Sequence, residues 1–311
     1  MNSIIIFSPA TVANISCGFD VLGCCLDGIG DYMTISKTAE KGVRITKITG
    51  MDLPLETEKN VAGVASLALL NGLKTPVDFG FEMEIVKQIK PGSGIGSSAA
   101  SAAGAVFALN QLLDKPFNEF ELIDFAREGE RLACGFPITD NVAPALLGGF
   151  TLVKHDEPQK VLKLPVLKDL FAVILHPQIE IRTSEARAIL PKQVDLDLAV
   201  KQWANVGSFV HALHTQDVQL FAASLQDHIV EPFRSKLIPG FDEVKHSAIK
   251  NGALGSGISG SGPSIFSFCK GIQSAENVKD SIQTLYRSKN IPFQIYISKI
   301  NPEGIQIVES N

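Results

Sequence analysis

The sequence predicts an α+β protein, and three stretches carry that prediction. Residues 79–113 read as a strand, a glycine-rich loop and a helix. The second half alternates strands with helices and suggests an open α+β sandwich. A second loop, Gly255-Ser256-Gly257-Ile258-Ser259-Gly260-Ser261-Gly262-Pro263-Ser264, lies in that half. Taken alone it is a flexible loop. Paired with the first, it suggests a cleft between two halves, where bare backbone approaches a ligand.

The first loop is Pro91-Gly92-Ser93-Gly94-Ile95-Gly96-Ser97-Ser98. Ahead of it, Phe79 to Ile85 alternates apolar and polar residues as a strand does; behind it, Ser97 to Leu113 is rich in Ala and Leu and free of proline. A strand, a glycine loop and a helix start can hold a phosphate on backbone N–H groups and on the helix N-terminus. Ser97 and Ser98 can cap the helix or offer hydroxyls to a phosphate or Mg²⁺. The plainer reading is a turn that starts a helix. No Gly-Lys-Ser/Thr follows, so this is not a Walker A loop, and no acidic residue stands where a Rossmann site needs one.

Composition narrows the class. The 311 residues are 45% hydrophobic and 20% charged, with a formal net charge of −5, enough chain for one large domain or two ordinary ones. Basic runs and aromatic–basic interleaving are lacking, which argues against nucleic acid as a partner. Cys17, Cys24, Cys25, Cys134 and Cys269 form no CxxC pair, against a disulfide frame or a zinc site. The apolar N-terminus is short and lacks a basic lead, so it reads as a strand, and no apolar run suits a membrane span. A cytoplasmic protein is expected.

In order, Ser3 to Phe7 is a strand closed by Ser8-Pro9, and Ala10 to Gly23 is a loop carrying Asn14 and Asp20. Tyr32 to Ser36 and Val43 to Ile48 pair around the turn Glu40-Lys41-Gly42. Asn60 to Leu73 is a helix ended near Gly72. Asn118 caps a helix running to Cys134, with Leu122, Phe125, Ala126, Leu132 and Ala133 as its apolar face and Glu130 at the margin. A carboxylate there is a boundary residue or a metal ligand aimed into a cleft. Asp140 to Phe150 is an Asx-led short helix ending in paired glycines, and Thr151 to Lys154 is a strand. His155 to Lys168, with Pro158 and Pro165, is the domain boundary. Strands at 171–175, 264–268, 293–299 and 305–309 and helices at 183–190, 196–214, 218–229, 242–250 and 275–288 complete the chain.

Three motifs in order, Pro9-Ala10-Thr11-Val12-Ala13-Asn14, Pro91 to Ala100 and Gly255 to Ser264, resemble the signatures of the GHMP small-molecule kinases. Within them the chain is most similar to the homoserine kinases, through Gly18 to Gly23, Asp140 to Pro144, Thr183 to Pro191, Glu231 to Arg234 and Ser256 to Pro263. The resemblance implies an N-terminal ATP-binding domain over 1–165 like ribosomal protein S5 domain 2, and a ferredoxin-like C-terminal domain over 166–311. It implies transfer of the ATP γ-phosphate to the hydroxyl of L-homoserine, in a homodimer. Asn60, Lys87, Pro91, Gly92, Ser93, Gly94, Ile95, Gly96, Ser97 and Ser98 would then serve ATP, and Ser98 with Glu130 would hold Mg²⁺. Asn141, Glu130, Ser98 and Arg187 would be catalytic. Asn14, Asp20, Thr183, Arg187, Arg234 and Gly260 would bind the substrate.

The chemistry of these residues suits that role. A zwitterion's carboxylate wants planar cationic forks, here Arg187 and Arg234; its ammonium wants acceptors, here Asn14 and Asp20. Each has a plainer alternative: Arg187 pairing with Glu185 at the surface, Arg234 exposed beyond Pro232, Asp20 capping a turn. Where some relatives place an aspartate base the chain has Asn141, so the hydroxyl is expected to attack directly. Homoserine kinases often carry a histidine two residues before the Asp-Asn pair; here Ile138 stands there, with Thr139 as a substitute contact. The competing readings are a kinase of the same superfamily for mevalonate, and a nucleotide-binding protein without turnover.

Overall fold

The computed structural model describes residues 1–155 and 160–311, so Pro158 of the expected boundary lies outside the described residues. The first half runs β1 (Ser3–Ala13), β2 (Leu22–Thr38), β3 (Gly42–Thr49), α1 (Val61–Asn71), β4 (Gly80–Val86), α2 (Ser97–Leu112), α3 (Glu119–Cys134), α4 (Val142–Leu147), β5 (Phe150–Lys154) and β6 (Lys160–Leu164). The second runs β7 (Leu170–Pro177), α5 (Thr183–Ala188), α6 (Leu196–Thr215), α7 (Val218–Ser224), α8 (Glu231–Arg234), α9 (Phe241–Lys250), β8 (Ala253–Ile258), β9 (Ile265–Lys270), α10 (Ile272–Arg287), β10 (Phe293–Lys299) and β11 (Gln306–Ser310).

Two sheets result. The seven-stranded one follows β11-β1-β2-β4-β3, with β5 joining β2 and β6 joining β5. The four-stranded one has the order β10-β7-β9-β8. The succession of its strands and helices is the βαββαβ pattern of ferredoxin-like folds, as expected. The sheet changes between Leu164 and Leu170, but the last strand returns to the first sheet and pairs with β1.

Several expectations are corrected. The expected loop over residues 10–23 is shorter than foreseen, because β1 continues to Ala13 and β2 begins at Leu22, which leaves residues 14–21 as the loop; β1 passes through Pro9 at a bulge, where its register with β2 shifts between Pro9 and Thr11. The expected pairing around Glu40-Lys41-Gly42 does not form. Instead β4 lies between its two strands, antiparallel to β2 and parallel to β3. Phe81, Met83 and Ile85 of β4 share a core with Met33 and Ile35 of β2 and Val43 and Ile45 of β3, and α1 makes the crossover. The expected helix over 218–229 stops at Ser224, because Asp227 accepts the N–H groups of Ile229, Val230 and Glu231 and turns the chain into α8. Strand β6 was not foreseen. The first residues of the second glycine cluster belong to strand β8.

The apolar face of α3 also differs. Leu132 is exposed, while Leu122, Ile123, Ala126, Gly129 and Glu130 are buried. Gly129 allows this: a Cβ there would stand 2.6 Å from the Val61 carbonyl oxygen and 2.9 Å from Ala102 Cβ. So Glu130 sits in the buried face of its helix rather than at its margin.

One core fills the space between the large sheet and α1 to α4. A second joins the two halves through edge-to-face contacts of Phe150 with Phe209, Phe221 and Phe268. A third lies under α9 and α10. All five cysteines are free, and Cys24 and Cys25 are fully buried, as small core residues are. Among the described residues no helix is long and apolar enough to cross a membrane.

Candidate active site

A cleft of about 650 Å³ lies between the halves, within the size range of small-molecule sites. Nearly every sequence-predicted site residue lines it: Asn14, Asp20, Asn60, Lys87, Pro91 to Gly94, Gly96 to Ser98, Glu130, Asn141, Thr183, Arg187, Arg234 and Gly260. Ile95 does not; its side chain is buried in the core that joins the halves, leaving only backbone to offer a ligand.

The glycine loop forms one end. Gly92, Gly94 and Gly96 hold φ of 69°, 82° and 72°, the left-handed region where glycine is favoured, and Gly96 opens α2. The second glycine cluster braces this loop. Ser259 Oγ donates to the Gly94 carbonyl at 2.7 Å and Ser264 Oγ to the Ser93 carbonyl at 2.6 Å. A Cβ on Gly94 would lie 2.6 Å from the Gly262 carbonyl oxygen, so the two backbones touch. Only Gly260 and Ser261 of the second cluster reach the cleft.

Several polar groups here are already committed. Ser97 Oγ donates to the Ile89 carbonyl, leaving Ser98 as the hydroxyl that faces Glu130. Lys87 is buried in an ion pair with Asp31 and donates to the Ser97 carbonyl and to Ser101 Oγ, so it stiffens the loop from beneath. Asn60 caps α1 by accepting from Ala62 N–H, and its amide donates to the Pro54 carbonyl. Asn141 stands before α4, where Thr11 Oγ1 donates to its Oδ1 at 2.7 Å. Thr11 also abuts Gly96, and so ties Asn141 to the loop. Glu130 Oε1 is buried without a hydrogen-bond partner. Burial pushes the Glu130 carboxyl up to about 7, against the pull of Ser98 and of the Lys87 charge.

The other end carries two arginines and two aspartates. Arg187 and Asp20 form a two-point ion pair, at 2.9 and 2.8 Å. Neither plainer alternative holds: Arg187 is not paired with Glu185, and Arg234 is 3% exposed. Arg234 donates from Nε to the Ala186 carbonyl and from Nη1 to that of Gly260, each at 3.0 Å. Burial lowers its pKa to about 10 despite the Asp20 charge. Asn14 Nδ2 also donates to the Gly260 carbonyl, and its Oδ1 accepts from Asp20 N–H. Asn14, Ile15, Ser16 and Asp20 all have positive φ, a left-handed turn held by these bonds. Thr183 starts α5, with its hydroxyl 3.5 Å from that of Ser261. Ile138 lines the cleft, whereas the buried Thr139, the expected substitute contact, does not reach it.

Asp140 was given no role by sequence reasoning, although its position beside Asn141 in the Asp-Asn motif is a usable signal. It lines the cleft and is 2% exposed. Burial, with the charges of Asp20 and Glu130, pushes its pKa up to about 8, against the arginines. A carboxyl raised in the fold favours folding while protonated. That contribution is whole below the usual carboxylate range and is lost as pH rises towards 8. Asp140→Asn is therefore expected to raise Tm of the unliganded protein most at pH 8 and above, and hardly near pH 4. Calorimetry across that range checks it; a Tm gain independent of pH would contradict the assignment.

The profile for GHMP kinases N terminal domain matches residues 59–149, and that for GHMP kinases C terminal matches residues 209–288. The homoserine kinase of Chlorobium phaeobacteroides strain BS1 is 40% identical, covering 99% of this chain and all of that protein. The homoserine kinase of Chloroherpeton thalassium is 42% identical over 97% of this chain and 98% of its own. A crystal structure of homoserine kinase from Cytophaga hutchinsonii superposes with a TM-score of 0.94 at 48% identity, covering 99% and 98% of the two chains. A crystal structure of L. major mevalonate kinase in complex with R-mevalonate superposes with a TM-score of 0.72 at 15% identity, covering 94% and 95% of the two chains, a likeness of fold alone. With both profiles matched and full-length similarity at this level, the chain belongs to the GHMP kinases and, among them, to the homoserine kinase family.

Proposed function

We propose that the protein transfers the γ-phosphate of ATP to the side-chain hydroxyl of L-homoserine, giving O-phospho-L-homoserine, a step towards threonine. The observation that carries this is the two-ended cleft: a glycine loop beside Ser98 and Glu130 at one end, two arginines and two aspartates at the other. A zwitterionic alcohol is the complement of the second end, and the full-length similarity to homoserine kinases supports that acceptor.

The loop N–H groups and the start of α2 take the phosphates. Ser98 and Glu130 suit Mg²⁺: a buried carboxylate oxygen without a partner, beside a hydroxyl, is half of a site that substrate phosphates complete. Bound there, Mg²⁺ offsets charge that builds on the transferred phosphoryl group.

Arg187 and Arg234 receive the carboxylate, while Asp20, Asn14 and Asp140 receive the ammonium. The substrate thus exchanges partners with the Asp20–Arg187 pair instead of entering an unsatisfied site. Asn141, held by Thr11, orients the hydroxyl. An amide takes up no proton, so the proton passes to the phosphate or to solvent as the new P–O bond forms. A homodimer is proposed as well: Leu196, Val200 and Trp203 expose one apolar face of α6, and sedimentation equilibrium tests it.

The test is Mg²⁺-dependent ADP release with L-homoserine and mevalonate offered separately. Release with homoserine alone is expected, and Asp20→Asn should abolish it. Release with mevalonate alone would overturn the acceptor, because mevalonate has a carboxylate but no ammonium. ATP binding without release on either would favour a non-catalytic protein.

A further inference from the structure

We propose that Phe19 is a positioning residue that sets the spacing of the two substrate arginines, its ring shared between both guanidiniums. The proposal rests on the carboxylate role of Arg187 and Arg234 given above. Arg187 Cζ lies 5.4 Å from the Phe19 ring centroid and Arg234 Cζ lies 5.0 Å from it. Both distances fall within the reach of a cation–π contact. Phe136 lies 5.6 Å from Arg187 as well, but its own ring is 57% exposed.

The need for such a group follows from the charges. Two guanidiniums aimed at one carboxylate repel each other, and burial of Arg234 removes water from one of the two. Backbone carbonyls of Ala186 and Gly260 hold Arg234. Arg187 has no equivalent support: Nη1 and Nη2 both go to Asp20, and its Nε is buried without a partner. When the substrate ammonium takes Asp20, Arg187 keeps only the aromatic contacts and the substrate itself. A ring face, negative at its centre, supplies attraction without competing for the N–H groups that the carboxylate needs.

Phe19 is itself well anchored. It precedes Asp20 in a turn closed by Val21 and Leu22 N–H groups donating to the Gly18 carbonyl. A Cβ on Gly18 would stand 2.3 Å from the Leu22 side chain, so Leu22 packs directly on the turn backbone. The same short segment therefore fixes Asn14, Asp20 and, through Phe19, both arginines.

The experiment compares Phe19→Leu, Phe19→Tyr and Arg234→Leu in the full-length protein, with KM for homoserine, KM for ATP, kcat and Tm read for each. Leucine keeps apolar bulk and removes the ring; tyrosine keeps the ring. Phe19→Leu is expected to raise KM for homoserine about tenfold. KM for ATP and kcat should stay within about twofold of wild type. Phe19→Tyr should restore the homoserine KM. If Phe19→Leu does not fold, Phe19→Met is the second variant without a ring. An unchanged homoserine KM in the ringless variant overturns the proposal. So does an equal loss in the leucine and tyrosine variants with Tm and the ATP KM moving together, which is packing alone. Arg234→Leu separates the two levels: if it leaves the homoserine KM unchanged, the carboxylate assignment itself fails; if it raises that KM while Phe19→Leu does not, only the role of Phe19 fails.

Discussion

Glu130→Ala is expected to cut turnover at saturating ATP and homoserine by about a hundredfold or more, the scale of several kcal/mol of lost charge stabilisation. ATP affinity should change far less. The glycine loop, with its three left-handed glycines and its brace from Ser259 and Ser264, is built without Glu130. The carboxylate instead stands opposite the helix start, with one oxygen buried and unpartnered beside the Ser98 hydroxyl. A group so placed has a use when a cation is brought to it. The measurements are kcat, the Mg²⁺ concentration giving half-maximal rate, and nucleotide affinity. A higher Mg²⁺ requirement with nearly intact nucleotide affinity is the expected pattern. Unchanged turnover would remove the metal role; an equal loss of ATP binding would make Glu130 a structural support of the cleft.

Arg234→Leu is expected to raise KM for homoserine by about a hundredfold, since truncating one partner of a buried charge pair costs several kcal/mol. KM for ATP should be nearly unaffected. Arg234 is 3% exposed, its guanidinium is held by two carbonyls, and its pKa, though lowered by burial to about 10, leaves it charged at neutral pH. Leucine also leaves the Asp20 and Asp140 carboxyls with one cation fewer, which weakens the ammonium side indirectly. Steady-state kinetics with each substrate varied in turn checks this. A loss confined to ATP would mean that this arginine faces the nucleotide.

Much of the local structure was legible in the residues. Helix α2 begins at Ser97 and α3 is capped by Asn118, because propensity and capping act within a few residues of chain. The phosphate-loop candidate was legible for the same reason: alternating glycines permit positive φ whatever surrounds them. Strand β10 falls on the residues expected of it.

What the residues by themselves determined is therefore the class of fold, most element positions, and the side chains offered to a cleft. Tertiary structure alone decided who meets whom. Strand β4 enters between β2 and β3 because the sheet is ordered by burial of its faces and not by nearness in sequence, and β11, exposed along its length, crosses back to hydrogen-bond with β1. Glu130 is buried rather than marginal because Gly129 lets α3 close onto α1 and α2. Asp20 meets Arg187 across 167 residues, and Asp140 acquires a strongly raised pKa only where those charges and burial converge. Such pairings depend on distances between remote segments. Sequence spacing carries no information about them until a shared core has brought the segments together.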